Sequence, residues 1–283
     1  MALKSILVAA SGGTASNGAI EAACQLAQRF SAHVEGFHVR VDAAQVIALA
    51  SDGFGMPAAG DWIDRMTEDT EKTASKTKAG FLAAAARCGI AASNAAGTKA
   101  TVAWREETGY APDLVSRRAR FFDLTVLGRS ERVVERPHSD TIEETLIHSG
   151  RPILLAPAKP APIGESIAIG WNGSAEAVHV MVAALPLLAA AKTVTVITVS
   201  DEPDSPKDLL EYLARQGVRA THSNVLPVSG AGPGQQLLSQ AREVGADLLA
   251  MGGYGHRPWR EILFGGATQQ VVDASLLPVL IAH

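Results

Sequence analysis

The sequence lacks the features that mark disulfide scaffolds and membrane proteins. Its only two cysteines, Cys24 and Cys88, have no C-x-x-C spacing, which indicates a reduced protein with inert, buried thiols. No apolar run approaches the roughly 20 residues of a membrane-spanning helix. The apolar run near the start, SILVAA, is too short for a secretory signal. These absences predict a cytoplasmic protein.

Basic and aromatic residues are also scarce. The chain has 25 Lys and Arg against 29 Asp and Glu, a net charge of -4. This balance argues against a protein held to nucleic acid or to an anionic membrane surface by phosphate contacts. Aromatic residues make up only 5% of the chain, whereas hydrophobic residues, mostly aliphatic, make up 47%. The composition therefore favours helices packed on aliphatic strands.

Short apolar segments alternate with segments of helical spacing from the beginning of the chain. Ser5–Ala10 is predicted to be a buried strand, followed by a helix at Asn17–Arg29 and a second strand at His33–Val39. This order predicts a right-handed crossover in a parallel sheet. Further strands of this half are predicted at Ser93–Trp104, Asp123–Leu127 and Arg151–Pro157.

The pattern restarts after a proline-rich stretch, Ala156–Pro162. The second series of strands is predicted at Ser166–Gly170, Thr193–Val199, Thr221–Val228, Asp247–Met251 and Pro278–Ile281. Five strand-like segments recur in the same order, which indicates an internal duplication. We predict two α/β domains, residues 1–157 and 165–283, joined by a linker at 158–164. Each is expected to be an open, mainly parallel five-stranded sheet flanked by helices, of Rossmann-like type.

Glycines are concentrated in the stretch Asp247–Thr268. Gly252 and Gly255 follow a strand, and Gly265 and Gly266 open a segment of helical spacing. Glycines let backbone N–H groups approach an anion, and a helix N-terminus adds unpaired donors and a partial positive charge. The stretch is interpreted as a phosphate cradle or, alternatively, as a tight turn followed by a helix.

Two other glycine-rich loops offer different chemistry. Ser11–Ser16 resembles the SGGxDS loop of N-type ATP pyrophosphatases, which use ATP to adenylate a substrate, but Ala15 replaces the acidic residue. Gly230–Gln235 has Gln235 where a dinucleotide fingerprint needs glycine or alanine. The second loop is therefore predicted to be a plain connection between a strand and a helix.

Nearly the whole chain resembles two universal stress protein domains in tandem. Nucleotide-binding members of that family carry G-x2-G-x9-G-[S/T] after the fourth strand, and Gly252, Gly255 and Gly265 fit the glycine positions. Gly266 stands where Ser or Thr is usual, and Thr268 is our candidate for the missing hydroxyl. The resemblance implies a fold similar to adenine nucleotide alpha hydrolases. It also implies binding of ATP, ADP or AMP, with Mg²⁺ accompanying the nucleotide.

The resemblance also assigns residues to the base and ribose. The family places Asp after the first strand, where this chain has Asn172 behind Gly170 and Trp171; Asn keeps an acceptor and adds donors. The end of the second strand, Val199, is expected to contact adenine through its backbone. Met251, at the end of the fourth strand, completes the predicted set.

The first half departs from the glycine motif. Gly128 keeps only the first glycine, and the position matching Gly265 falls near Ser139, followed by Asp140 and two glutamates. Carboxylates suit a helix N-terminus but would repel a triphosphate placed there. The first half is therefore expected to be the structural partner of the second. The resemblance implies an internal pseudo-dimer formed through the final strands of both halves.

Three functions remain open from the sequence. The first is a stress-response regulatory protein that binds an adenine nucleotide in its second half, and two such chains are expected to associate further. The second is an ATP-using enzyme, either a slow ATPase or a pyrophosphatase acting at Ser11–Ser16. The third is a nucleotide-free interaction module. No catalytic residue and no metal site is predicted, because the histidines form no i,i+4 pair or H-x-H cluster.

Overall fold

The computed structural model describes residues 2–42, 59–93, 99–129, 137–201, 206–253, 268, 270–271 and 275–283. In the first half the strands are β1 (Ser5–Ala9), β2 (His33–Arg40), β3 (Ala91–Ala92), β4 (Thr101–Thr108), β5 (Leu124–Gly128) and β6 (Ile153–Ala156). Its helices are α1 (Thr14–Phe30), α2 (Ala59–Arg87), α3 (Ala111–Ala119) and α4 (Pro137–His148).

The second half repeats this alternation with shorter connections. Its strands are β7 (Ser166–Gly170), β8 (Thr193–Val199), β9 (Ala220–Val225), β10 (Leu248–Gly252) and β11 (Val279–Ala282). Its helices are α5 (Ala175–Ala189), α6 (Lys207–Arg215) and α7 (Pro233–Glu243). The predicted strand at Ser93–Trp104 is wrong in its bounds, because β4 begins only at Thr101 and continues to Thr108.

The strands form one sheet in the order β3-β4-β2-β1-β5-β6-β11-β10-β7-β8-β9. All neighbours pair in parallel except β6 and β11, which pair antiparallel with Leu154 opposite Leu280. Both strands are buried along their whole length, so pairing satisfies backbone groups that would otherwise lie unpaired at an apolar edge. The α/β fold with a mainly parallel sheet is confirmed, and the two predicted sheets share this central pair of strands.

The duplication extends to individual hydrogen bonds. Asp123, just before β5, accepts from the backbone N–H groups of Lys4 and Ser5, both at 2.9 Å. Asp247, just before β10, accepts from the N–H groups of Gly164, Glu165 and Ser166 at 2.8 to 3.2 Å. Each carboxylate thus holds the amino end of its half's first strand, β1 or β7, against the neighbouring strand, β5 or β10. The domain boundaries at 157 and 165 stay a prediction.

The core lies on both faces of the sheet. On one face α1, α2 and α5 cover residues such as Ile6, Val34 and Ile169, which are completely buried. On the other face α3, α4 and α7 cover Leu7 and Leu249. No helix in the described ranges is long and apolar enough to span a membrane.

Candidate functional site

The predicted site of the second half lies at the carboxyl ends of three adjacent strands. β7, the first strand of the second half, has β8 on one side and β10 on the other. The chain order therefore reverses at β7. Open parallel sheets bind ligands in the crevice at such a switch point. The structure brings six of the predicted residues to these strand ends, namely Gly170, Trp171, Asn172, Val199, Met251 and Gly252.

Val199 ends β8 with its backbone turned toward this crevice. The N–H of Trp171 donates to the carbonyl of Ile197 at 2.9 Å, whereas the N–H of Ser200 donates to Val225 of β9 at 3.0 Å. Because alternate residues of a strand direct their backbone groups to opposite sides, those of Val199 point toward the β7 side. β7 has already ended there, and no described residue bonds to them. A donor and an acceptor are therefore available to a ligand.

The loop after β7 is held by its own side chains. The Asn172 Oδ1 atom accepts from the N–H of Ser174 at 3.1 Å. The Ser174 Oγ atom accepts from the N–H of Ala177 at 3.2 Å and so caps α5. Asn172 is exposed, and its side-chain nitrogen has no partner among the described residues. The sequence analysis missed the role of Ser174, although a serine directly before a helix is a typical N-cap.

Gly173, in the same loop, has a φ of 75°. A Cβ atom built there would meet no atom of the described residues within 4 Å. No described residue therefore covers the loop after β7 at this point.

Gly252, which the sequence analysis assigned to ligand binding, packs closely against a helix. A Cβ at Gly252 would lie 2.7 Å from the backbone nitrogen of Ala177, in the first turn of α5. A Cβ at Gly128, the equivalent residue of the first half, would lie 2.3 Å from the carbonyl oxygen of Ala15 in α1. Both halves need a glycine here so that the helix N-terminus can lie against the strand end.

Three other predicted residues are partly or wholly used by the fold. A Cβ at Gly170 would lie 2.7 Å from Leu237, and Met251 is 5% exposed within the core under α7. Trp171 packs partly buried against the core on the opposite face. A nucleotide contact by these residues stays a prediction, and for Met251 it would involve the backbone.

The glycines that carry the motif, Gly255, Gly265 and Gly266, lie outside the described residues. Thr268 is described and is 8% exposed, in a helical position that corresponds to Ile142 of α4. The hydroxyl contact proposed for Thr268 therefore remains a prediction.

The equivalent loop of the first half is covered. Gly12 has a φ of 90°, and a Cβ there would lie 2.7 Å from Thr77 Oγ1 and 2.8 Å from Thr73 Cγ2, both on α2. Nearby, His38 is buried, with its Nδ1 atom 2.5 Å from the carbonyl of Ala10 and its ring stacked on Trp104. Helix α2 thus occupies space that no described residue fills in the second half.

Polar side chains link the carboxyl ends of β8 and β9. The Thr198 hydroxyl donates to Asn224 Oδ1 at 2.7 Å and lies 2.9 Å from His222 Nε2, which must then donate to it. The Asn224 side-chain nitrogen donates to the carbonyl of Ser200 at 3.1 Å. Burial lowers the pKa of His222, so this histidine brings no positive charge to the crevice at neutral pH.

The second glycine-rich loop is a plain connection, as predicted. The Gln236 side chain accepts from the N–H of Val228 at 3.0 Å and donates to the carbonyl of Ala231 at 3.0 Å. The loop's polar groups are thereby bound within the loop. In the ranges that the structure describes, no cluster of three or more His, Cys, Asp or Glu side chains could hold a metal ion.

Comparison with known proteins identifies this fold. A universal stress protein from Archaeoglobus fulgidus DSM 4304 superposes with a TM-score of 0.71 at 15% sequence identity, over 98% of this chain and 97% of that one. A functionally unknown protein, PA1789 from Pseudomonas aeruginosa PAO1, superposes with a TM-score of 0.54 at 13% identity, over 99% and 92%. No protein-family model and no curated protein matches the sequence. The chain has the universal stress protein fold over nearly its whole length.

Proposed function

We propose that the chain is a tandem universal stress protein that binds ATP or another adenine nucleotide in its second half and acts as a stress-response regulator. The observation that carries the proposal is the open crevice beside β7. There no described residue lies within 4 Å of the Cβ position of Gly173, and none bonds to the backbone N–H or carbonyl of Val199. The G-x2-G-x9-G spacing after β10 supplies the phosphate side.

Different residues of the site would hold different parts of the nucleotide. The backbone of Val199 and the amide of Asn172 would hold the base and ribose, because both present a donor and an acceptor at the strand ends. Gly255, Gly265, Gly266 and the hydroxyl of Thr268 would hold the phosphates, with Mg²⁺ entering together with the nucleotide. These residues bind and orient, and none is assigned a catalytic step.

The alternative enzyme site at Ser11–Ser16 gains no support from the geometry. Thr73 and Thr77 of α2 lie against Gly12, in the space that a nucleotide at that loop would need. We therefore assign the first half a structural role, as the partner that completes the sheet through β6 and β11.

A pair of proline substitutions tests the site. Val199→Pro removes the N–H that faces the crevice and leaves the β8–β9 hydrogen bonds in place. We expect it to weaken ATP binding by about tenfold, the loss of one buried hydrogen bond, as measured by titration calorimetry. Val39→Pro, at the equivalent point of β2, is the matched control and should bind ATP as the wild type does. Equal effects of the two substitutions would contradict the assignment, and absence of binding in the wild type would favour a nucleotide-free module.

A further inference from the structure

A cleft at the seam between the halves is separate from the crevice beside β7. It has a volume of about 360 Å³, within the usual range for small-molecule sites. Its walls are the outer face of α5, the carboxyl end of β11 and the amino ends of β1, β5 and β6. Most of its lining is apolar, including Leu3, Leu124, Val182, Leu187 and Leu280.

The internal duplication shows what fills the same place in the first half. Gly18 on α1 and His179 on α5 both stand five positions after the helix N-cap. A Cβ at Gly18 would lie 1.9 Å from the carbonyl oxygen of Pro157 and 2.9 Å from that of Ala158, so the start of the linker lies directly on α1. Ile163, near the end of the linker, is 7% exposed and belongs to the core on that face. The groove along α1 is therefore closed by the chain itself.

The groove along α5 has lost the features that hold the linker. On α1 the guanidinium of Arg29 donates to the carbonyls of Ile163 and Gly164, at 3.2 and 2.9 Å. On α5 the matching position is Ala190, and His179 replaces Gly18 where the backbone would need to approach. An extended segment therefore cannot bind α5 as the linker binds α1. In the described ranges no segment covers this face, and Val182 is 39% exposed.

One arginine and two histidines line the cleft along α5. Arg151 donates through Nε to the carbonyl of Arg120 at 3.3 Å, and no carboxylate among the described residues forms an ion pair with it. His179 and His283 also line the cleft, each with Nδ1 3.2 Å from a backbone oxygen. Among the described lining residues Asp123 has the one acidic side chain, and its Oδ2 atom is bound by three donors at 2.9 to 3.0 Å. The apolar walls thus lie beside a guanidinium that has no anionic partner among the described residues.

We propose that this cleft binds a small amphipathic carboxylate, with its apolar body between α5 and β11 and its carboxylate on Arg151. The apolar walls bury the body. A guanidinium binds a carboxylate through charge-assisted hydrogen bonds that a neutral head group cannot form. None of the residues that line the cleft is among those assigned to the nucleotide, so the proposal stands whether or not the chain binds ATP.

Titration calorimetry with decanoate as the probe, and with decanol as its neutral analogue, tests the proposal on the full chain. Wild type should bind decanoate saturably and more tightly than decanol. Arg151→Gln should weaken decanoate binding by about tenfold, the loss of a charge-assisted hydrogen bond, and leave decanol binding unchanged. Absence of saturable decanoate binding to the wild type, or an unchanged affinity in Arg151→Gln, would overturn the proposal.

A cavity-filling substitution locates the site. Ala183→Phe places a ring in the cleft and should abolish binding of both probes, whereas Ala189→Phe, exposed at the end of the same helix, should not. Wild-type affinity in Ala183→Phe would overturn the location. A peptide with the sequence of Pro157 and the linker, residues 157–164, should not bind. Binding of this peptide that Ala183→Phe abolishes would overturn the proposal in favour of a docking groove for extended segments.

Discussion

The two halves have the same strands in the same order but differ in what lies over the loop after the first strand. In the first half α2, a helix of 29 residues, runs past the sheet and packs on Gly12 through two threonines. In the second half the matching helix, α6, has nine residues, and no described residue lies within 4 Å of the Cβ position of Gly173. The fold therefore does not require a helix over this loop, and the covering by α2 is a local property of the first half.

A second comparison separates glycines that the fold needs from those it does not. Gly128 and Gly252 are both required, because each allows a helix N-terminus to touch a strand end. Beyond them the halves diverge, since Gly255 and Gly265 have no glycine partner in the first half. Only the glycines found in the second half alone are informative about a ligand.

The largest expected effect concerns the shared glycines. Gly128→Ala and Gly252→Ala each place a Cβ against backbone atoms that cannot yield, and overpacking of this kind costs about 2 to 3 kcal/mol of unfolding free energy. The Gly128 substitution should cost more, because its contact is the shorter, 2.3 against 2.7 Å. Urea denaturation would measure both.

Gly80→Ala is the control for these two glycines. Gly80 lies within α2 with nothing near its Cβ position, so alanine should stabilise the chain by about 0.5 to 1 kcal/mol. An unchanged free energy of unfolding in Gly252→Ala would show that packing does not require glycine at this position. A role in ligand binding would then be the remaining explanation for Gly252.

The next effect tests whether the two aspartates are equivalent. Asp123→Ala and Asp247→Ala each leave backbone N–H groups at the start of a first strand without their acceptor. Each should cost about 2 kcal/mol of unfolding free energy. Asp113→Ala, which removes only an exposed i,i+4 ion pair with Arg117, should cost less than about 0.5 kcal/mol. A loss confined to one of the two aspartates would mean that the halves are not held in the same way.

The smallest effect is a pH dependence shared by the two halves. The pKa values of His33 and His222 are both lowered, in each case chiefly by burial. The unfolded chain therefore binds a proton more readily, so stability is fully present above the ordinary histidine pKa of 6.5 and falls as pH drops below it. Urea denaturation at about pH 7.5 and about pH 5.5 should show this decrease.

The substitutions His33→Gln and His222→Gln should each reduce that decrease. The window lies above the range in which Glu68 and Glu165 take up protons, because the pKa of each is lowered from 4.5, first by a hydrogen bond from a lysine. An unchanged decrease in both variants would show that other groups control it.

The strands were predictable because each is a short apolar run that ends at a turn residue. Asp123–Leu127 and Asp247–Met251 were each predicted within one residue of the strands observed, Leu124–Gly128 and Leu248–Gly252. The resemblance to tandem universal stress protein domains also predicted that the final strands of the halves would lie together, which the antiparallel pairing of β6 with β11 confirms.

The roles of single residues in tertiary contacts were not predictable. Local sequence does not reveal that Gly252 touches α5, or that α2 reaches Gly12, because both contacts join residues distant along the chain. The cleft along α5 was also not predictable from the sequence, because it is recognised only when α5 is compared with α1 and the linker that packs on it. The predicted contacts of Gly255 and Gly265 rest on sequence spacing, and these residues lie outside the described ranges.

The stoichiometry of ATP binding tests the central claim most directly. If the second half alone forms the site, titration calorimetry of the full chain should give one nucleotide per chain, and Val199→Pro should lower the affinity while Val39→Pro leaves it unchanged. Two nucleotides per chain would contradict the claim that the halves differ in function. Absence of binding would contradict the nucleotide site itself.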